Sequence, residues 1–239
     1  MFAYLRWVAR AFKYRRSFER CEVRFLLRHL HTGEVAVDIG AYKGAFLYWM
    51  LQGVGSSGKV VAFEPQPTLT DNLRRLTRRR PNVRIEGAAV SSSEGKAHLY
   101  VPESRGRKVS PLSSLAKPAG PNARIDVPLL TLDRYFADHR QFRPVSFIKC
   151  DVEQHEWEVF LGGQRLLRED HPVVLLECAP GDEDVGQERW RGLLGLFERL
   201  GYSGWFFDRA TERPVEATTH VDLARYLHNM AFTPKGLHP

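Results

Sequence analysis

Cysteine is scarce in this 239-residue sequence: Cys21, Cys150 and Cys178 are the whole set, and no two form a Cys-x-x-Cys pair. That excludes a disulfide framework or a zinc finger, and it fits a reducing cytoplasm. Long apolar runs are missing too, since no stretch approaches the roughly 18–20 uncharged apolar residues of a membrane span. The opening MFAYLRWVARAFKYRR is broken by Arg6 and Arg10 before a signal-peptide core could form. The expectation is a cytoplasmic chain that does not cross a membrane by itself. Internal repeats are absent, and the histidines carry no metal spacing. With 43% apolar and 26% charged residues, the balance is that of one large globular domain.

The net charge of +7 is concentrated. Residues 1–30 hold eight basic and two acidic side chains, nearly the whole excess. Phe2, Leu5, Val8, Ala9 and Phe12 fall at helical spacing, while Arg6, Arg10 and Lys13 line a different face. A basic amphipathic segment over 1–30 ahead of a domain at 31–239 can lie on an anionic lipid surface through residues 1–16, or dock on an acidic partner. The plainer alternative packs its apolar side on the domain. A second cluster, Arg74, Arg75, Arg78, Arg79, Arg80 and Arg84, sits where a helix should end before Pro81. A helix dipole favours cations there. No aromatic stacking platform is interleaved, so a nucleic-acid partner is not expected.

Strand-like runs at Val35–Ile39, Lys59–Phe63, Val83–Glu86, Val145–Cys150 and Val173–Cys178 alternate with helical patterns near 44–53, 67–80, 154–169 and 187–200. Nearly continuous apolar strands separated by helices predict a parallel sheet buried on both faces. Gly204–Phe207 and Asn229–Thr233 suit a final pair, and Gly162-Gly163 breaks the 154–169 helix. Residues 102–123, rich in Pro, Ser and Gly, read as a lid between two arms of a hairpin, Ala97–Val101 and Arg124–Leu130.

The most informative segment is VAVDIGAYKGAF, a strand running through Asp38 into the turn Gly40-Ala41-Tyr42-Lys43-Gly44 and then a helix. In an open α/β sheet such a turn borders the ligand crevice. Gly40 permits a sharp turn and close approach to a ligand, and Gly44 permits tight helix packing. A dinucleotide site would place a bare glycine where Ala41 stands. Asp38 would repel phosphate and attract an ammonium group. The next strand ends in Glu64-Pro65, twenty-four residues after Gly40, where a carboxylate can accept bonds from ribose hydroxyls. An amino group at one end, a ribose at the other and no phosphate describe S-adenosylmethionine (SAM).

At this point the sequence resembles the FkbM-type SAM-dependent methyltransferases, from about residue 20 to 235. The anchors are VAVDIGAYKGAF, VVAFEPQP, NVRIEGAAVSSSEG, VPLLTLDRYF, FIKCDVEQHEWEVFLGG, VVLLE and NMAFTP. The resemblance implies the class I methyltransferase fold, a Rossmann-like α/β arrangement. Its mostly parallel seven-stranded sheet has helices on both faces and an antiparallel last strand. It further implies that Asp38, Gly40, Ala41, Tyr42 and Gly44 contact the methionine end of SAM and that Glu64, with Pro65 beside it, holds the ribose. The stretch Gly87–Ala89, including Ala88 and Ala89, borders the adenine. Two positions depart from the family pattern: Tyr42 stands where these proteins often carry Asn, and Gln154 where DVEG would have Gly.

The segment Asp151-Val-Glu153-Gln-His155-Glu156 gathers four titratable groups just past the fourth strand, and Glu177 ends the next. Carboxylates at neighbouring strand ends converge where SAM would present its methyl group. Asp151 or His155 can act as a general base. Alternatively Asp151 and Glu177 can hold a divalent cation such as magnesium, or the cluster merely fixes a turn. Trp157, Phe160 and Leu161 read as core. Cys150 and Cys178 read as small buried residues.

The expected activity is O-methylation of a hydroxyl on a sugar, glycan or secondary metabolite. The strand end KCDVEQ lacks the D/N-P-P-Y/F pattern of amino-methylating DNA enzymes. A nicotinamide-dependent oxidoreductase on a similar sheet is one alternative, although no Tyr-x-x-x-Lys pair is present. A non-catalytic module that binds membranes or acidic partners is the other.

Overall fold

The computed structural model describes residues 2–102, 113–115, 122–177, 184–217 and 226–239. Most of the expected lid, and Cys178, lie outside the described residues. Two helices open the chain, α1 (Phe2–Lys13) and α2 (Arg20–His29), joined by a π-helical turn over Tyr14–Phe18. The repeating units follow as β1 (Val35–Ile39), α3 (Ala45–Val54), β2 (Lys59–Phe63), α4 (Pro67–Thr77) and β3 (Val83–Glu86). A small three-stranded sheet comes next, built from β4 (Ala89–Val90), β5 (Gly95–Pro102) and β6 (Asn122–Leu130). The second half contains α5 (Leu132–Asp138), β7 (Phe147–Cys150), α6 (Glu156–Leu161), α7 (Gln164–Asp170), β8 (Val173–Glu177) and α8 (Asp184–Arg199). It closes with β9 (Tyr202–Asp208), β10 (Pro214–Glu216) and β11 (Tyr226–Pro234).

The main sheet has the order β10-β9-β11-β8-β7-β1-β2-β3. All pairs from β8 to β3 are parallel, and β11 runs antiparallel to both β8 and β9. This is the expected seven-stranded arrangement with one addition, the three-residue edge strand β10. β5 and β6 pair antiparallel from Gly95↔Leu129 to Pro102↔Asn122, as the hairpin reading predicted. Glycines 162 and 163 separate α6 from α7. An added Cβ at Gly162 would lie 2.2 Å from the Ser91 carbonyl oxygen, so the break also lets two backbones meet.

The sheet's two faces carry separate cores. One packs Val37, Ile39, Val61, Ile148 and Leu176 against α5–α8, with Phe160 and Phe197 at its centre. The other packs Ala36, Val60, Ala62, Phe147 and Leu175 against α1, α2 and α3. Cys150 is fully buried in the first core, as expected of a small apolar side chain.

The N-terminal helix is present, but its docking face differs from the expectation. α1 buries Trp7 and Ala11, while Phe2 is 82% exposed, Leu5 57% and Phe12 40%. Two indole hydrogen bonds fix it: Trp7 Nε1 donates to the Gly44 carbonyl at 2.5 Å, and Trp49 Nε1 donates to the Ala11 carbonyl at 2.9 Å. The apolar period identified the helix, but specific partners for one tryptophan selected the buried side. Among the described residues no helix is long and apolar enough to cross a membrane.

Candidate active site

Strand register builds the site. Successive residues in a strand point to opposite faces. Asp38 pairs with Lys149 and Lys149 with Leu175, so their side chains share a face. Asp151 and Glu177 lie two residues farther along their chains and come out on that same face. It is the face covered by the N-terminal helices.

A cavity of about 260 Å³ opens at these strand ends. Of the residues expected to hold a cofactor, Asp38, Gly40, Ala41, Tyr42, Glu64, Pro65, Ala88 and Ala89 all line it. Gly44 does not. Its place is structural: an added Cβ would meet Leu73 at 2.8 Å and Trp7 at 3.0 Å, and its φ is +74°. Gly40 is tighter still, because its φ is +78° and an added Cβ would sit 1.8 Å from the Asp151 carbonyl oxygen. The turn runs close against the end of β7, where only glycine fits.

Asp38 is 1% exposed, and neither of its carboxylate oxygens has a hydrogen bond of normal geometry. Burial raises its carboxyl to about 6, partly opposed by the Lys149 ammonium and by the N–H of Leu47. A buried carboxylate left without a partner is costly unless something cationic completes it. Glu64 is 2% exposed, and burial raises it to about 7. Its Oε2 accepts from the Tyr42 N–H at 2.7 Å and its Oε1 from the Gln66 N–H at 2.8 Å. Each oxygen keeps a second lone pair for another donor.

All three expected catalytic residues, Asp151, His155 and Glu177, line the same cavity. Lys149 Nζ donates to Asp151 Oδ2 at 2.7 Å. Burial pushes against charge on both groups. On Asp151 the Lys149 cation and its hydrogen bond win, and the carboxyl falls below its ordinary value. On Lys149 the nearby Asp151, Asp38 and Glu19 win, and the ammonium is held well above its ordinary value. Glu177 is driven the other way, to about 9, by burial and by the Asp151 charge, and it shares a hydrogen bond with Asp151. At neutral pH the two carboxyls therefore hold one proton between them.

His155 borders the cavity with both ring nitrogens directed at protein groups. Nε2 lies 3.0 Å from Ser91 Oγ, and Nδ1 lies 3.5 Å from Glu158 Oε2. Ser, His and Glu stand in the sequence of contacts seen in hydrolytic triads. Ser91, however, is buried and does not line the cavity. The chain of contacts fixes the imidazole rather than exposing a nucleophile. Oxygens of Asp151, Glu153 and Glu177 come within 4.8 Å of one another, a spacing that could also hold a cation. Glu153 and Gln154, in the same turn, have φ values of +54° and +73°.

Several cavity residues escaped the sequence reading. Lys149 is 5% exposed inside a strand, and a lone charge in the run Phe-Ile-Lys-Cys was the signal for it. Arg10, Tyr14 and Glu19 reach the cavity from the N-terminal segment. Burial raises Glu19 to about 7. No spacing in the sequence linked these three to β1.

The strand order, the antiparallel β11 and a cavity at the carboxyl ends of the strands define the class I methyltransferase fold. The methyltransferase FkbM domain matches residues 38–204, and the chain belongs to that family. Among solved structures, cofactor-bound Rv0187 from MTB is similar over 98% of this chain and 89% of its own, with a TM-score of 0.53 and 15% identity. An FkbM methyltransferase from Methylobacillus flagellatus is similar over 89% of this chain, with a TM-score of 0.52 and 15% identity. This chain spans only 50% of that protein's length. No curated protein matches in sequence. Membership in a methyltransferase family sets the oxidoreductase alternative aside.

Proposed function

We propose that the protein methylates a hydroxyl oxygen of a sugar, glycan or secondary metabolite, using SAM. The observation that carries the cofactor is Asp38, a carboxylate sealed in the cavity wall whose oxygens make no hydrogen bond of normal geometry, its burial offset only in part by the Lys149 ammonium and the Leu47 N–H. The ammonium of SAM's methionine end supplies what it lacks. Glu64 offers its remaining lone pairs to the ribose hydroxyls, and Ala88 and Ala89 give the small, apolar border an adenine needs. The turn Gly40–Tyr42 brings backbone against the methionine end. When bound, SAM supplies a methyl group already activated by its sulfonium.

The protein's remaining work is to position the acceptor and take its proton. A hydroxyl oxygen that gains a third bond becomes strongly acidic, so even a weak base in contact suffices. Asp151 is that base. Lys149 keeps it charged and fixed on one oxygen, and protonated Glu177 steadies it by a hydrogen bond. His155 orients the loop through Ser91 and Glu158.

Calorimetric titration with S-adenosylhomocysteine (SAH) and, separately, with NADH tests the cofactor. Heat with SAH alone is expected, and heat with NADH alone sinks the reading. Metabolite extracts incubated with methyl-labelled SAM then reveal the acceptor by a gain of about 14 daltons. Label recovered only on nitrogen would overturn O-methylation.

A further inference from the structure

A second and larger cavity, of about 1030 Å³, lies between α1 and α4. Six cations line it: Arg6, Arg10, Lys43, Arg75, Arg78 and Arg79. No carboxylate is among its lining residues, and among the described residues none of the six forms an ion pair. The arginine cluster in and after the last turn of α4 thus divides by role. Arg74 donates to the Ile85 carbonyl, and Arg84 pairs with Glu86 at 2.7 Å. Arg75, Arg78 and Arg79 face the groove instead. The helix dipole explains a few cations after a helix. It does not explain why α1 brings Arg6 and Arg10 to the same groove.

The groove adjoins the active-site cavity, because Arg10, Tyr42 and Lys43 line both. Like charges gathered in a cleft repel one another and raise the local concentration of anions. Guanidinium forks match phosphate oxygens in pairs. Trp7 and Leu73 form an apolar floor beneath them.

Resting on the methyltransferase reading, we infer that the α1–α4 groove binds the phosphate or pyrophosphate portion of a phosphorylated acceptor, whose hydroxyl then reaches Asp151. The shared boundary with the SAM cavity favours a substrate over a bilayer surface. The same phosphate chemistry is also offered by lipid headgroups, and the test separates the two.

Inorganic pyrophosphate is titrated into the full chain and into the double variant R75E/R79E, at low and at 0.3 M salt, with SAH binding measured on each. Vesicles containing phosphatidylglycerol are pelleted with both proteins. The expected result is pyrophosphate binding that weakens with salt and falls at least tenfold in the double variant, with SAH affinity unchanged. R75K/R79K should retain most of it. In labelled extracts, the methylated product should change mass on phosphatase treatment. If SAH binds but pyrophosphate does not, or binds the variant equally, the subsite is refuted and the cofactor reading stands. Vesicle pelleting lost in the variant without pyrophosphate binding assigns the groove to a bilayer and also refutes it. Charge-dependent pyrophosphate binding without SAH binding keeps the anion site and sinks the methyltransferase reading instead.

Discussion

Asp38 and Lys149 stand opposite one another in adjacent parallel strands, and this register places a buried cation beside a carboxylate that has no hydrogen bond of normal geometry. Lys149 bonds to Asp151 instead, at 2.7 Å. One ammonium therefore holds Asp151 charged while leaving Asp38 open to a second cation. The Asp38 end and the Asp151 end of the cavity are electrostatically linked through a single side chain.

Asp151 and Glu177 should respond unequally to loss of charge. Asp151→Asn removes the base and is expected to lower kcat by about 10²–10⁴-fold, with SAH affinity changed much less. Glu177→Gln keeps a hydrogen-bond donor toward Asp151 and should retain most of the turnover. It should also erase any alkaline transition near 9, the value to which Glu177 is raised. Parallel collapse of SAH affinity in Asp151→Asn would make Asp151 a cofactor ligand.

Stability should depend on pH in a direction set by the buried carboxyls. Asp38 is raised to about 6, and Glu64 and Glu19 to about 7, from ordinary values of 3.8 and 4.5. Between about pH 4 and 7 the folded chain keeps protons that the unfolded chain has released, so stability falls as pH rises. Asp151, lowered by Lys149, works in the opposite sense only at more acid pH. The melting midpoint of the ligand-free protein should decline from pH 5 to pH 8. SAH should raise it more at pH 8, where Asp38 is ionised and meets an ammonium. A midpoint that climbs over this interval contradicts the assignment.

Chelation should leave turnover intact. The Asp151, Glu153 and Glu177 oxygens are close enough to hold a cation, yet Lys149 already compensates Asp151, and Asp151 and Glu177 share a proton. Label transfer from SAM into an extract should be equal before and after EDTA. Activity lost to EDTA and restored by magnesium would assign the carboxylates to a metal.

Gly40→Ala should be severe. The new Cβ would overlap the Asp151 carbonyl in a backbone already at φ +78°. Forcing β1 and β7 apart at their ends is expected to cost about 3 kcal/mol. Urea unfolding measures the loss, and SAH binding should vanish with it.

The parts of the fold legible in the sequence were those whose neighbours are supplied by the sheet itself. β1, β2 and β3 occupy the predicted residues because each is an unbroken strand-like run ending at a turn or a carboxylate. β10 was invisible: three residues at a sheet edge carry no period to read. The docking face of α1 was misread because Phe2, Leu5 and Phe12 outnumber Trp7, and only the three-dimensional partner, the Gly44 carbonyl, decides between them. For the same reason Arg10, Tyr14 and Glu19 were not connected to the site. The Asp38–Glu64 pair was legible because strand ends in an open sheet converge at known places. Lys149 required knowing the register that sets it beside Asp38 and Asp151, the partners a buried ammonium needs.

Gln154 gives a test in the stabilising direction. The family pattern has Gly at this point of the loop, and here Gln adopts φ +73°, beside Glu153 at +54°. A left-handed conformation costs a side-chain-bearing residue about 1–2 kcal/mol. Glycine avoids that strain but loses about 0.5–1 kcal/mol through its freer unfolded chain. Gln154→Gly should therefore stabilise by at most about 0.5–1 kcal/mol, less the interaction its side chain makes, a rise of up to a few degrees in melting midpoint for a domain of this size. Unchanged SAH affinity is expected alongside, because Gln154 does not line the cavity. If the variant is less stable, then contacts of the Gln154 side chain outweigh the backbone strain, and the turn beside Asp151 is held by that residue rather than in spite of it.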